Sequence, residues 1–245
     1  RTVIDNASRE PEICDLATFL QRMGARIDGA GTSRIEIEGV DGLGSSSLEV
    51  MPDRLEAGTF LFCAAATGGD VTVTDMEPAH IEIVLDKLME AGATIDVGEG
   101  RVRIRSGGRP KPIDLSTLPY PGFPTDLQPL AVVMLCRADG LSIVTENIFD
   151  ARFFYVDELA RMGADVRVEG HYAVVRGTPE LTGAPVRAPD IRAGAALVVA
   201  GLVATGRTVV DDIVHIDRGH ERLDSKLQGL GADIERVSAE APAAL

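Results

Sequence analysis

FLQRMGARIDGAGTSRIEIEG, residues 19–39, has three relatives in the same chain: KLMEAGATIDVGEGRVRIRSG (87–107), ELARMGADVRVEGHYAVVRG (158–177) and KLQGLGADIERV (226–237). Their shared glycines, Gly24, Gly92, Gly163 and Gly231, lie 68, 71 and 68 residues apart. A register kept at that period marks a structural repeat, in which each supersecondary unit buries its apolar face against its neighbours. In each copy, apolar residues at i, i+3 and i+4 predict an amphipathic helix that ends at the glycine, where a left-handed residue closes the last turn without steric cost. A strand follows. Alternating stretches such as RIEIE (34–38), RVRIR (101–105) and YAVV (172–175) then predict half-exposed strands folded back through Gly-containing turns.

Between these copies lies a second kind of helix: DRLEAGTFLFCAAATGG (53–69), TDLQPLAVVMLCRADG (125–140) and DIRAGAALVVAGLVATG (190–206). Each is apolar on all sides, which predicts a helix enclosed by the rest of the fold. Each run ends at a glycine (Gly68, Gly140, Gly206) and leads into β-branched VTV (71–73), SIV (142–144) or TVV (208–210). One repeat is therefore strand, buried helix, strand, amphipathic helix and hairpin, an α/β class in which core helices alternate with solvent-facing ones.

With 45% hydrophobic and 25% charged residues, the 245-residue chain is long enough for one large domain or two modest ones. Its net charge is −14, from 24 Lys and Arg against 38 Asp and Glu. That sign argues against a broad phosphate-neutralising surface for nucleic acid or an anionic membrane, so an anionic ligand must be held locally. Aromatic residues make up 4% and there is no Trp, which leaves few side chains for stacking bases. The longest apolar run, residues 193–204, has 12 residues, short of the roughly 20 that a membrane-crossing helix needs. Cys14, Cys63 and Cys136 are too few and too scattered for a disulfide framework or a zinc site. Each lies in an apolar helical pattern and is expected in a core, in a reducing compartment. No leader of the signal-peptide kind occurs, so the cytoplasm is the expected location. The chain opens on Arg1, and Thr2-Val3-Ile4 reads at once as strand, so further sequence upstream is expected.

Chemistry is expected where the buried helices begin. Met51-Pro52-Asp53-Arg54, Pro124-Thr125-Asp126 and Pro189-Asp190-Ile191-Arg192 each put an Asp at or near a helix start. Each Asp has two readings. One is an N-cap that accepts the first free N–H groups, worth about 0.5–2 kcal/mol. The other has repeated units aiming several helix N-termini at one region, where partial positive charge holds a phosphate or carboxylate. Arg54 and Arg192 fall in first turns, where a cation opposes the helix dipole by about 0.3–1 kcal/mol, which points to another use. Arg152 and Arg218 each precede an amphipathic helix at matching places, and their guanidinium forks suit carboxylate and phosphate; the plainer reading is a surface or an Asp-paired arginine. Asp126 beside such cations can serve as a general base. His215 and His220, five apart, do not share a helix face as i, i+4 ligands do, so no metal site is expected, and His80 and His171 read as loop residues. No phosphate loop, dinucleotide fingerprint, nucleophile elbow or kinase motif occurs.

Six segments together carry a family resemblance: residues 1–25, MPDRLEAGTF (51–60), PTDLQP (124–129), ENIFDARFFYVDELARMGA (146–164), APDIRAGAALVVAGLVATG (188–206) and HIDRGHERLDSKLQGLGADIERV (215–237). In order and spacing the chain resembles the enolpyruvyl transferases over residues 1–237, and within them the branch that acts on UDP-N-acetylglucosamine at the start of peptidoglycan precursor synthesis. The resemblance implies two similar domains, each an inside-out α/β barrel of three βαβαββ units with its helices buried inside. On that pattern residues 1–51 are the last unit of an incomplete N-terminal domain, 52–240 the C-terminal barrel domain and 241–245 a tail. It further implies transfer of the enolpyruvyl group of phosphoenolpyruvate to the sugar 3′-hydroxyl, with release of phosphate through a tetrahedral ketal and with no metal or organic cofactor.

Residue by residue, the resemblance assigns Asp126 to the sugar 3′-hydroxyl as the base. Ile148, where Val is common, makes a backbone contact to the nucleotide sugar, and Arg218 lies on the phosphoenolpyruvate side. Arg152, Asp190 and Arg192 line the closed cleft, and Asp53 falls in the region between the domains. A Lys-Asn pair, two further arginines and a loop bearing a catalytic Cys or Asp belong upstream of the matching part, and Cys14, Cys63 and Cys136 match none of them. The chain alone is accordingly expected to be inert, its missing partner being the N-terminal part of the same enzyme. Transfer to shikimate 3-phosphate on the same fold is the alternative acceptor, which the PTDLQ and HIDRG contexts disfavour. A non-catalytic half-barrel is the other alternative, and it would self-associate or bind a partner through an exposed core surface.

Overall fold

Four units follow one another along the chain. The computed structural model describes residues 1–237, and the tail expected over 241–245 lies outside them. The first unit is β1 (Thr2–Asp5), α1 (Pro11–Arg22), β2 (Arg26–Asp28) and β3 (Arg34–Glu38), an antiparallel sheet in the order β1-β3-β2. The second is α2 (Arg54–Thr67), β4 (Asp70–Thr74), α3 (Glu82–Glu90), β5 (Thr94–Gly98) and β6 (Arg101–Arg105), ordered β4-β6-β5. The third is β7 (Leu115–Ser116), α4 (Gln128–Leu135), β8 (Leu141–Thr145), α5 (Val156–Arg161), β9 (Asp165–Glu169) and β10 (Tyr172–Arg176). Its sheet runs β7-β8-β10-β9, with β7 parallel to β8. The fourth is β11 (Leu181–Thr182), β12 (Pro185–Arg187), α6 (Ile191–Val203), β13 (Ala204–Thr205), β14 (Val209–Asp211), α7 (Val214–Asp217) and α8 (Leu223–Gly229). There β11 pairs with β13 and β12 with β14, both parallel.

Period-two alternation produces the hairpins. In β6, Val102 and Ile104 are fully buried while the alternate arginines face out. Arg103 grips Asp70 of β4 through two bonds of 2.8 and 2.7 Å, and Arg105 lies 2.8 Å from Asp96 of β5. The repeat glycines Gly24, Gly92, Gly163 and Gly231 all take positive φ, between 84° and 103°, a conformation that strains any other residue. The fourth copy departs from expectation, because residues 232–237 form no strand. In the second and third units that stretch pairs with a following strand, β6 or β10, and no such strand follows among the described residues.

The three all-apolar helices α2, α4 and α6 pack on one another at the centre, with the sheets outside them. Every residue of α4 from Gln128 to Leu135 is buried, as are most of α2 and α6. A helix with no polar side has no stable place at a surface, which puts helices inside and sheets outside. Only α2 closes on its glycine, Gly68 at φ 77°. α4 stops at Leu135, ahead of Gly140, and α6 at Val203, where Ala204 turns extended into β13 instead of reaching Gly206.

The second to fourth units share one core, whereas the first has a small one of its own around Ala17, Ile27 and Ile35. Cys63 and Cys136 lie in the shared core, where burial pushes their thiols up to about 11 and about 12. Cys14 departs from expectation and is only half-buried, because α1 buries little beyond Pro11 and Ala17. Among the described residues no helix is long and apolar enough to cross a membrane.

Candidate functional site

The three helix starts use their aspartates differently. Asp53 caps α2, its Oδ1 accepting the Leu55 and Glu56 N–H groups at 2.8 and 3.1 Å. Asp190 caps α6 in the same way, accepting from Arg192 and Ala193 at 2.8 and 2.7 Å. Two first-turn donors of each of these helices are thus already occupied by its own cap. Asp126 is not a cap. It lies inside a 3-10 turn, Thr125–Leu127, that runs into α4 and has no side-chain cap.

Freed from capping, the Asp126 carboxylate meets two arginines from other elements. Its Oδ1 accepts from Arg152 Nη2 at 3.2 Å and lies 3.2 Å from Arg192 Nε. Arg152 opens a 3-10 turn ahead of α5, and its guanidinium is buried against the Phe149 ring, 5.0 Å from the centroid. Arg192 comes from the first turn of α6. Its unfavourable place on the helix dipole is offset by this carboxylate. Arg54 has a different partner: its buried guanidinium grips Glu12 of α1 at 2.8 and 3.3 Å and lies over the Tyr120 ring. It therefore ties the first unit to α2.

The remaining expected residues lie around this pair. Ile148, together with Asp126, Thr125, Tyr120, Arg54 and Glu10, lines a cavity of about 80 Å³. Asp53 and Arg192 line a groove of about 520 Å³ shared with Phe19, Leu48 and Met51 of the first unit and its connection to α2. Arg218 is exposed just after α7. The adjoining Gly219 packs so closely on Ile191 that a Cβ there would come within 3.1 Å of Ile191 Cγ1, which seats the segment at the start of α6. His220 is buried next to it, and burial first and Arg192 second hold its pKa below the usual histidine range. Asp126, Arg152 and Arg192 thus meet at the starts of the buried helices, with Asp190 capping α6 beside Arg192, Asp53 sharing the groove with Arg192 and Ile148 the cavity with Asp126, while Arg218 adjoins the segment packed on Ile191. Among the described residues no three His, Cys, Asp or Glu side chains form a metal-binding cluster.

Two features at this end escaped the sequence reading. Buried Tyr155 donates its hydroxyl to buried Gln128 at 3.0 Å, linking the Arg152 turn to the segment just after Asp126. Buried Glu146, directly after β8, accepts four hydrogen bonds from three segments. An acidic residue that continues an alternating apolar strand is the signal that could have found it.

Apolar helices enclosed by sheets define the class of fold. A profile of the family described as EPSP synthase (3-phosphoshikimate 1-carboxyvinyltransferase) matches residues 1–227, and the chain belongs to that family. It is similar to the UDP-N-acetylglucosamine 1-carboxyvinyltransferase of Trichlorobacter lovleyi, with 51% identity over 237 residues, 97% of this chain and 57% of the relative. The enzyme of the same name from Nocardia farcinica is 54% identical over 96% of this chain and 55% of its own length. The chain spans about half the length of the curated relatives it matches. Among solved structures, the enolpyruvyl transferase NikO from Streptomyces tendae matches with a TM-score of 0.83 and 27% identity, over 96% of this chain and 56% of that one. EPSP synthase from Acinetobacter baumannii, at 20% identity, shares the fold with a TM-score of 0.68 over 91% of this chain and 55% of that one. The inside-out α/β fold that the resemblance implies is the fold observed.

Proposed function

We propose that this chain forms part of an enolpyruvyl transferase that moves the enolpyruvyl group of phosphoenolpyruvate to the 3′-hydroxyl of UDP-N-acetylglucosamine, releasing phosphate, in peptidoglycan precursor synthesis. The observation that carries it is the Asp126 carboxylate held by Arg152 and Arg192, each at 3.2 Å. Names carried by relatives more than half identical favour the nucleotide sugar over shikimate 3-phosphate as acceptor. Asp126 accepts the 3′-hydroxyl proton as that oxygen attacks C2 of phosphoenolpyruvate, while a general acid protonates C3. The tetrahedral ketal then loses phosphate from C2 and a proton from C3, which restores the double bond. Arg152 and Arg192 hold Asp126 in place, and with Arg218 they supply cations for the carboxylate and phosphate of the second substrate. Ile148 offers its carbonyl to the nucleotide sugar, because its N–H is already given to Glu146.

On this reading residues 1–51 are the last unit of an N-terminal domain and 52–240 a C-terminal barrel. Val3, Ile4, Leu16 and Val50 of the first unit and its linker are exposed, which suits a unit that packs against the rest of its domain or against a second copy. Both substrates are soluble metabolites, so the cytoplasm is the compartment assigned. A thermal-shift titration of the chain tests the acceptor: UDP-N-acetylglucosamine is expected to raise the melting temperature, shikimate 3-phosphate is not, and D126A is expected to abolish the rise. A larger shift with shikimate 3-phosphate overturns the assignment. In a coupled phosphate-release assay the chain alone is expected to read background, because the general acid for C3 belongs to the loop expected upstream. Full turnover by the chain alone would refute that division of labour.

A further inference from the structure

We infer that Glu146 is a positioning residue for this reaction: one buried carboxylate holds the loop 147–149 and the turn Thr125–Leu127 in a single geometry. The inference rests on the function proposed above. Glu146 is 4% exposed, and a buried acid is costly unless its oxygens are satisfied. Oε1 accepts from Thr117 Oγ1 at 2.7 Å, Ile148 N at 2.9 Å and Phe149 N at 3.0 Å, and Oε2 accepts from Thr125 Oγ1 at 2.9 Å. Thr117, itself fully buried, closes the network: its hydroxyl accepts the Asn147 N–H at 2.9 Å and its carbonyl the Asn147 side-chain amide at 3.1 Å.

All four donors to Glu146 are neutral, so its carboxylate works through geometry. Each segment it holds carries a site group. Thr125 precedes Asp126, Ile148 lines the same cavity as Asp126, and Phe149 supports the Arg152 guanidinium. An apolar residue here would leave the Ile148 and Phe149 N–H groups and two hydroxyls without this acceptor, so the carboxylate fixes one arrangement of the three segments. The single oxygen of a Gln could keep the bonds from Thr117, Ile148 and Phe149, and its amide could turn to Thr125 Oγ1. Alanine keeps none of them.

The test uses the 245-residue chain with E146A, E146Q and T125V. Titration calorimetry reads affinity for UDP-N-acetylglucosamine, and proton–nitrogen NMR below the unfolding transition reads the Arg152 Nε–Hε and Ile148 amide resonances. E146A is expected to weaken affinity about tenfold or more and to move both resonances. E146Q is expected to stay within about threefold of the parent, with both resonances in place. T125V, which cuts only the link to the Asp126 turn, is expected to move the Arg152 signal and leave the Ile148 amide. A purely structural role would lower the melting temperature of E146A without moving the Arg152 signal, and that result overturns the inference. If E146A does not fold, an unmoved Arg152 signal in T125V overturns it instead. If the parent chain does not bind the nucleotide sugar, the functional reading fails, and the Arg152 signal still decides the role of Glu146.

Discussion

His220 is buried at the start of α6, and its Nδ1 has no hydrogen-bond partner among the described residues. The charged groups around it are Arg192 of α6, Asp53 and Glu56 at the start of α2, and Lys226 of α8. Burial and Arg192 depress its pKa below the ordinary 6.5. The unfolded chain therefore takes up a proton near 6.5 while the folded chain still resists it. More protons are then bound in the unfolded state, so stability falls as pH drops from that value toward the lower folded pKa. Urea unfolding of the parent and H220Q over this range is expected to give a steeper acid loss in the parent, and parallel profiles would refute it. At this scale the sequence was ambiguous in an instructive way. Asp53, Asp126 and Asp190 share one local pattern, Pro and Asp before an apolar run, and yet two are caps and one is the partner of two arginines.

Among the elements, α6 approaches α7 through Gly194. A Cβ at Gly194 would come to 2.7 Å from Ile216 Cγ1 and 3.0 Å from Ala188 Cβ. Replacing a helical Gly by Ala normally stabilises by about 1 kcal/mol. Here the clash opposes that gain, since Cγ1 is close to the Ile216 backbone and overpacking costs about 1–3 kcal/mol. G194A is expected to unfold at lower denaturant and to displace the segment bearing Arg218; a higher midpoint would show that α7 yields freely. Arg54 works between elements as well, because its buried guanidinium bonds Glu12 of α1. R54M is expected to cost about 1–3 kcal/mol, visible as faster hydrogen exchange in α1. Unchanged exchange there would remove Arg54 from this role. Helix ends show the limit of local signals: Gly68 closes α2, but α4 and α6 end before Gly140 and Gly206.

For the whole molecule, the division into a large shared core and a small first-unit core predicts unequal stability. Amides of β1 and β3 are expected to exchange about tenfold or more faster than those of α4, because few buried contacts hold the first unit closed. Equal protection would mean that the four units unfold as one. The repeat, its helix-ending glycines, the enclosed helices and the alternating hairpins were all legible in the linear sequence, because each depends on periodicities and backbone preferences set within a few residues. The six motifs made the resemblance to the family legible as well. The partners of Asp126, the tie between Arg54 and Glu12 and the network around Glu146 were not legible. Those depend on which distant segments converge when the three apolar helices pack, and convergence is a property of the assembled core that no local stretch of chain encodes.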